Sequence, residues 1–488
     1  MTVYIKNHKF HYEIENLVRL FFPNEKIEIV FDVPSELSNP YIYTEYNDNN
    51  EEYTINIDIL IDKFADKITE SFSKALYPDA ELQMAVMLYD MLVRFTGIKQ
   101  PWGLLTGVRP VKLFRRLTEE CDFDYAVSKF RNEFRVSSEK IALTIETEKN
   151  ERKILDLSTE KSFSLYISIP FCPSRCSYCS FVSASVERTA HLIEPYVDLL
   201  CRELEETAAY AKNKGLNLES VYMGGGTPTT LSASQMKKVL CTVRDNFDLS
   251  KCREFTVEAG RPDTITAEKL QAIAECGVDR ISINPQTLNN EVLKNIGRRH
   301  TAQEAIDTFE LARSYGFNHI NTDLIVGLPG DTLESFKSTL DMITQLDPES
   351  ITVHTLSMKR ASTLTMDGKN LDKTEAEIAC EMLDYAAKKL HSCGYAPYYL
   401  YRQSRMVGNL ENTGWSKKGK EGIYSVFIMD ETHTILACGA GAVSKLKNNK
   451  KDCLERIFNF KYPYEYINRF NEICERKKRI GTFYDEYN

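Results

Sequence analysis

The chain has 488 residues, 43% of them hydrophobic and 27% charged, with a formal net charge of −9. That length allows a sizeable core shared among two or three domains, and the acidic balance works against nucleic acid or an anionic membrane as the main partner. No secretory pattern opens the sequence and no run approaches the ~18–20 apolar residues of a bilayer span, so a cytoplasmic protein with reduced thiols is expected.

Residues 1–157 alternate short apolar runs with helix-like stretches, the pattern of an N-terminal α+β domain. Ala80–Thr96 carries apolar residues at three- and four-residue spacing and predicts a helix. The polar stretch Ile145–Lys161 reads as a linker or connecting helix. From Ser162 the rhythm changes. Strand-like Ser164–Ile169 ends in Pro-Phe-Cys, and helical Ile193–Lys214 follows. Strand Ser220–Met223 runs into Gly224-Gly225-Gly226, then come helix Ser232–Asn246, strand Glu254–Glu258, helix Ala267–Cys276 and strand Arg280–Asn284. A helical pair over Asn290–Tyr315, strand His319–Val326, helix Leu333–Leu346 and strand Ser350–Thr355 complete the series. Six strand–helix units in alternation predict an α/β fold, an open partial (βα)6 barrel over residues 158–373. Sites in a parallel barrel gather at the C-terminal ends of its strands. Residues 374–488 read as a small C-terminal domain: a long helix Thr374–Ser392, then β-like pieces at Ile423–Met429 and Thr434–Ala437 before the turn Gly439-Ala440-Gly441.

Three of the thirteen cysteines cluster, in Leu165–Phe181 (LYISIPFCPSRCSYCSF): Cys172, Cys176 and Cys179, spaced Cys-x3-Cys-x2-Cys directly after a strand. The other ten scatter singly and read as small buried hydrophobes. Thiolates select zinc, copper(I) or iron–sulfur iron. Structural zinc takes four ligands, usually in two pairs, and an ordinary [4Fe–4S] cluster has four thiolates. Three thiolates leave one iron open, and the amino and carboxylate groups of S-adenosylmethionine (SAM) can chelate it.

The segment resembles the radical SAM superfamily, and within it the oxygen-independent coproporphyrinogen III oxidase group, HemZ-like branch. The likeness runs over roughly residues 160–445. It implies a [4Fe–4S] cluster on the three cysteines and one SAM molecule or two. Strand Val221–Met223 ends in the glycine turn of VYMGGGTPTTL; without Cβ atoms such a turn lets backbone approach a ligand. By resemblance Gly225 contacts the first SAM, and Gly226 and Thr227 the second. Tyr166, Tyr178, Glu258, Gln286, Arg298 and Asp323 match further SAM contacts of the family, and Ser357 falls near another. Read without the family, Tyr166 is equally a core aromatic, Glu258 a rim charge and Asp323 a strand residue in need of a partner.

The implied reaction is oxidative decarboxylation of coproporphyrinogen III to protoporphyrinogen IX, on a porphyrinogen or haem-like substrate, with electrons from a low-potential donor such as flavodoxin or ferredoxin. Its propionates would call for Arg or Lys; Arg109, Lys112, Arg402 and Arg405 are candidates, although basic runs are usually solvated faces. The family's fourth cysteine position is Phe181 here, and a histidine near the strand tyrosine is replaced by Ser168. Two other functions stay open. One is a haem-binding chaperone, whose His-Asn pair would fall on Gly408-Asn409. The other is a radical SAM methyltransferase or anaerobic haem-degrading enzyme.

Overall fold

The computed structural model describes residues 1–179, 181, 183–357, 373–403 and 406–487. It forms two compact units: Met1–Ile145 with residues 373–375 and Arg402–Leu410, and the remainder from Glu146.

In the first unit Thr2–Lys6 lies between Glu28–Val30 and Tyr41–Asn49, parallel to both. Glu52–Ile61 and Phe64–Ser73 extend the sheet antiparallel. Alternate residues Tyr53, Ile55, Ile57 and Ile59 are buried in one core with apolar residues of helices His11–Phe21 and Ala80–Thr96, the period-two burial of a one-faced sheet. The second helix has the expected bounds. The Asp79 carboxylate accepts from Leu82 N at its start, and Gly97 ends it with φ 71°. The polar stretch after Ile145 begins as the second half of helix Ser138–Leu155.

In the second unit the six expected strands are β1 (Ser162–Ile169), β2 (Asn217–Gly225), β3 (Glu254–Gly260), β4 (Arg280–Ile283), β5 (Ile320–Val326) and β6 (Ser350–Thr355). Each pairs parallel with the next. Helices Val186–Asn213, Ala233–Asn246, Ala267–Glu275, Ala302–Ser314 and Leu333–Leu346 lie in the crossovers. Capping boxes at Ser232–Gln235 and Thr301–Glu304 set two of their starts. Leu165, Ile167, Val221, Met223, Val257 and Ile281 are fully buried, and they alternate along their strands with polar residues such as Ser164, Tyr166, Tyr222, Glu258 and Ser282.

The later residues add strands to both edges of this sheet. Strand β7 (Ala396–Tyr401) pairs with β8 (Asn412–Ser416), which runs antiparallel to β6. At the other edge β9 (Thr434–Cys438) pairs parallel with β1, followed by β10 (Val443–Asn448) and β11 (Cys453–Phe458). The β-like reading of Ile423–Met429 is corrected: Ile423–Asp430 is an α-helix. Its start is held by Ile423 N donating to the buried Glu254 carboxylate of β3. Tyr424, Val426 and Phe427 are buried, so the segment lacks the polar face that marks a helix in sequence. Among the described residues no helix is long and apolar enough to cross a membrane.

Candidate active site

Strand β1 ends at Ile169, and Pro170-Phe171 leads the chain to Cys172. The glycine turn after β2 lies against this exit. Gly226 N donates to Ile169 O at 2.7 Å and Thr227 N to Phe171 O at 2.8 Å; the Thr227 hydroxyl reaches Cys172 Sγ at 3.6 Å. A Cβ on Gly226 would stand 2.6 Å from Phe171 O and 3.0 Å from Cys172 Sγ. Only glycine permits that approach.

The rest of the cysteine loop rests on the ends of β3 and β4. Arg261, just past β3, donates through Nη1 to Ser174 Oγ at 2.8 Å and points at Cys176 Sγ from 3.9 Å. Its Nε and Nη2 grip Asp263 at 3.0 and 2.9 Å. Burial raises the Asp263 carboxyl, but the Arg261 hydrogen bonds and charge outweigh it and hold the group below its ordinary range. Ser177 N donates to Ile296 O at 3.1 Å, and Cys179 N to Cys176 O at 3.2 Å. Arg298 donates to the Tyr178 hydroxyl at 2.9 Å and to Asn284 O at 3.3 Å. Burial pushes the Cys179 thiol up; binding iron would reverse that, because a metal-bound thiol is deprotonated.

Inside the barrel mouth, Tyr166 of β1, Tyr222 of β2 and Tyr424 form a stacked group, with the Tyr222 and Tyr424 ring centroids 4.5 Å apart and those of Tyr166 and Tyr424 5.9 Å apart. The Tyr222 hydroxyl donates to Glu258. Burial pushes the Glu258 carboxyl up to about 7, against the pull of Tyr222, Arg280 and His354 and with the neighbouring charge of Asp323 adding to the rise. Asp323 accepts from Asn321 Nδ2 at 2.8 Å and lies 3.7 Å from His354 Nε2. Despite burial, His354 keeps it below the usual carboxylate range. Gln286 stitches β4 to β5: its N–H donates to Asp323 O, and its carbonyl accepts from Ile325 N, both at 3.0 Å. It does so with φ 72°, a left-handed conformation unusual for a residue with a side chain and concentrated at functional sites.

The structure therefore draws Cys172, Gly226 and Thr227 together, pairs Tyr178 with Arg298, and gathers Tyr166, Glu258 and Asp323 in the mouth. Gly225 takes φ 112°, and its Cβ would meet Ile169 at 3.0 Å. Ser168 donates to Ala440 O at 2.8 Å. Ser357 follows β6, half-buried. The expectation that Arg402 anchors a substrate is corrected: it is 2% exposed, donates to Leu105 O and Asn409 O, and lies over the Trp102 ring. Arg109 and Lys112 belong to the start of helix Pro110–Glu120 in the same first unit. Arg405 lies outside the described residues. Sequence reasoning missed Arg261, Tyr222 and His354. Arg261 had a signal, a cation immediately after a barrel strand.

The profile of the radical SAM superfamily matches residues 166–343. Over 482 residues the chain is 36% identical to the oxygen-independent coproporphyrinogen-III oxidase-like protein HemZ of Bacillus subtilis (strain 168), spanning 97% of this chain and 96% of that protein. The chain belongs to the radical SAM superfamily, in the HemZ family. It is also 33% identical to the heme chaperone HemW of the same organism, over 52% of this chain and 67% of HemW. Among solved structures, coproporphyrinogen III oxidase (HemN) from Escherichia coli shares the fold, with a TM-score of 0.51 at 23% identity over 66% of this chain and 72% of that one.

Radical SAM proteins use a [4Fe–4S] cluster and SAM, and the HemZ-family site fits both. The glycine turn brings backbone directly against Cys172. Arg298 Nε, Asn284 Oδ1 and Thr322 Oγ1 are buried without hydrogen-bond partners among the described residues, open valences of the kind a polar ligand satisfies. Among the described residues no three Cys, His, Asp or Glu side chains converge on a single metal ion; a cubane asks its thiolates to reach separate irons.

Proposed function

We propose that this protein is an oxidoreductase of porphyrin metabolism that decarboxylates coproporphyrinogen III to protoporphyrinogen IX without oxygen. Cys172, Cys176 and Cys179 hold the cluster. Tyr166, Tyr178, Gly225, Gly226, Thr227, Glu258, Gln286, Arg298 and Asp323 form the SAM cradle. The observation that carries the reading is the approach of Gly226 and Thr227 to Cys172, with no Cβ between the glycine turn and the thiol. The substrate class rests on the full-length likeness to HemZ. When bound, cluster and SAM supply one-electron, hydrogen-abstracting chemistry.

The chain's own groups do the rest. Thr227 and Arg261 place hydrogens toward the sulfurs of Cys172 and Cys176. The Glu258 carboxylate, oriented by Tyr222, can hold an ammonium or a ribose hydroxyl. The tyrosine stack lines the barrel with apolar surface that excludes water.

Anaerobic reconstitution followed by iron and sulfide analysis, then turnover with SAM, a strong reductant and coproporphyrinogen III, tests this by mass spectrometry. Two carboxyl groups lost as carbon dioxide per product is the expected result. The likeness to HemW over half the chain favours a heme chaperone as the second reading; haem binding without turnover of coproporphyrinogen III would select it.

A further inference from the structure

Two thiols meet outside the cysteine loop. Cys241 Sγ and Cys276 Sγ stand 3.9 Å apart, and both are free. Cys241 lies in helix Ala233–Asn246, before β3, and Cys276 caps helix Ala267–Glu275, after it. One turn before Cys241, on the same helix face, Lys237 pairs with Glu275 of the second helix at 2.8 Å, so the two helices are held side by side at this point. The two thiols differ in access: Cys241 is half-buried, whereas Cys276 is 2% exposed. Cys252 and Cys438 have other partners, Glu254 O at 3.2 Å and the Thr207 hydroxyl at 3.3 Å. A disulfide asks its sulfurs to close to ~2.0 Å. Cys276 ends its helix rather than lying inside it, and Gly277 beyond it, at φ 80°, has open space around it, so the chain there can give.

We propose that Cys241 and Cys276 are a reversible disulfide site, oxidised by a small soluble disulfide, whose bond ties β3 down between the helices that precede and follow it. The inference rests on no part of the cofactor reading. A soluble disulfide reaches the half-buried Cys241 first. The Cys241 thiolate attacks one of its sulfurs, a mixed disulfide forms, and one small thiolate leaves. Cys276 then attacks the Cys241 sulfur and expels the second. Overall two protein thiols lose two electrons and two protons, and one small disulfide gains them as two small thiols. Burial, reinforced by hydrogen bonding with Cys241 and by its charge, pushes the Cys276 thiol up to about 11, against the pull of Arg244 and Lys237. The two influences that come from Cys241 vanish once that sulfur is in a mixed disulfide, which readies Cys276 for the second attack. The loop closed by the bond contains the whole of β3, with Glu258, and Arg261 just past it. Closing it restricts the unfolded chain, so the oxidised form holds its fold more firmly than the reduced one.

The test uses the full chain under anaerobic conditions, with glutathione disulfide as the probe. After equilibration at a series of glutathione disulfide levels the chain is denatured, alkylated, digested and read by mass spectrometry. A peptide pair linked through Cys241 and Cys276, lighter by two hydrogen atoms and restored by dithiothreitol, is the expected product. Half-oxidation should need at least about tenfold less glutathione disulfide than half-modification of the exposed thiols Cys121 and Cys393, because the second thiol attacks at the effective concentration of a neighbour in the same chain. Cys276→Ser should instead accumulate glutathione on residue 241, and Cys241→Ser should leave Cys276 unmodified. Oxidised wild type should unfold at higher urea than reduced wild type, a difference that Cys241→Ser abolishes. No linked peptide, linkage only at the level that modifies Cys121, failure of dithiothreitol to reverse it, or an oxidised form that unfolds at equal or lower urea would overturn the proposal. The wild-type peptide map decides the site even if a variant fails to fold.

Discussion

Tyr222 and Glu258, on neighbouring strands β2 and β3, share a hydrogen bond inside the barrel mouth. The tyrosine is the donor, so it stabilises the ionised carboxylate against the burial that pushes Glu258 up to about 7. Removing it in Tyr222→Phe leaves burial and the Asp323 charge less opposed. A hydrogen bond to a charged group is worth ~1.5–3 kcal/mol, about one to two pH units. If Glu258 holds SAM as a carboxylate, the acid limb of SAM affinity should shift alkaline by about that much. Calorimetric SAM titrations between about pH 6 and pH 9 check it, and superimposable profiles for the two proteins would refute it.

The same carboxyl links stability to pH. Its folded value, about 7, exceeds the ordinary 4.5, so the folded chain binds more protons than the unfolded one across that window. Stability contributed by the protonated acid is therefore lost as pH rises from about 4.5 to about 7, and the loss is complete above it. Glu258→Gln keeps the neutral form at every pH. We expect its melting temperature to exceed that of wild type above about pH 7 and the difference to shrink toward pH 5, while SAM binding is lost. A variant less stable than wild type at pH 8 would contradict this account.

Gly226 offers a steric test. Alanine there must displace Phe171 O or Cys172 Sγ, both on the loop and neither able to yield without moving the thiol. Gly226→Ala should keep its far-ultraviolet circular dichroism but retain less than about half the iron of wild type after reconstitution, since displaced ligands cost metal affinity. Gly107→Ala, with open space around its Cβ position and, like Gly226, no positive φ, is the control for a glycine outside the barrel. Full iron retention in Gly226→Ala would remove the cradle from the site.

The barrel was legible because six short strand-like runs with apolar residues at alternate positions recur between helical stretches, and its helices carry capping signals such as Ser232 and Thr301. The thiol spacing and the glycine turn were legible because both are local. What escaped was non-local or without a polar face. The pairing of β9 with β1 joins residues about 270 apart, and no pattern in Thr434–Cys438 announces its partner. Helix Ile423–Asp430 reads like a strand because Tyr424, Val426 and Phe427 are all buried. Arg402 looked like an anion anchor from its neighbours in sequence, yet its charge is spent on carbonyls.

A buried ion pair behind the cysteine loop gives the last prediction. Lys477 and Glu203 are each 1% exposed and 3.0 Å apart. Glu203 also accepts from Gly439 N at 2.7 Å, Asn459 Nδ2 at 2.8 Å and the Tyr466 hydroxyl at 2.7 Å, and Lys477 donates to Ala437 O at 2.6 Å. Burial disfavours the ammonium, but Cys438 and Glu203 outweigh it and keep its pKa raised. The network fixes the turn after β9, whose Ala440 N donates to the Tyr196 hydroxyl; that hydroxyl donates in turn to Ser168 O, four residues before Cys172. Breaking one partner of a buried pair strands the other charge, at a cost of ~3–5 kcal/mol. Lys477→Met should therefore lose about that much in urea unfolding of the cluster-free chain, and adding Glu203→Gln should recover part of it, because Gly439 N and the Tyr466 hydroxyl, which share one carboxylate oxygen, still find an acceptor in the amide oxygen. Additive losses in the double variant would mean that the two side chains do not act as a pair.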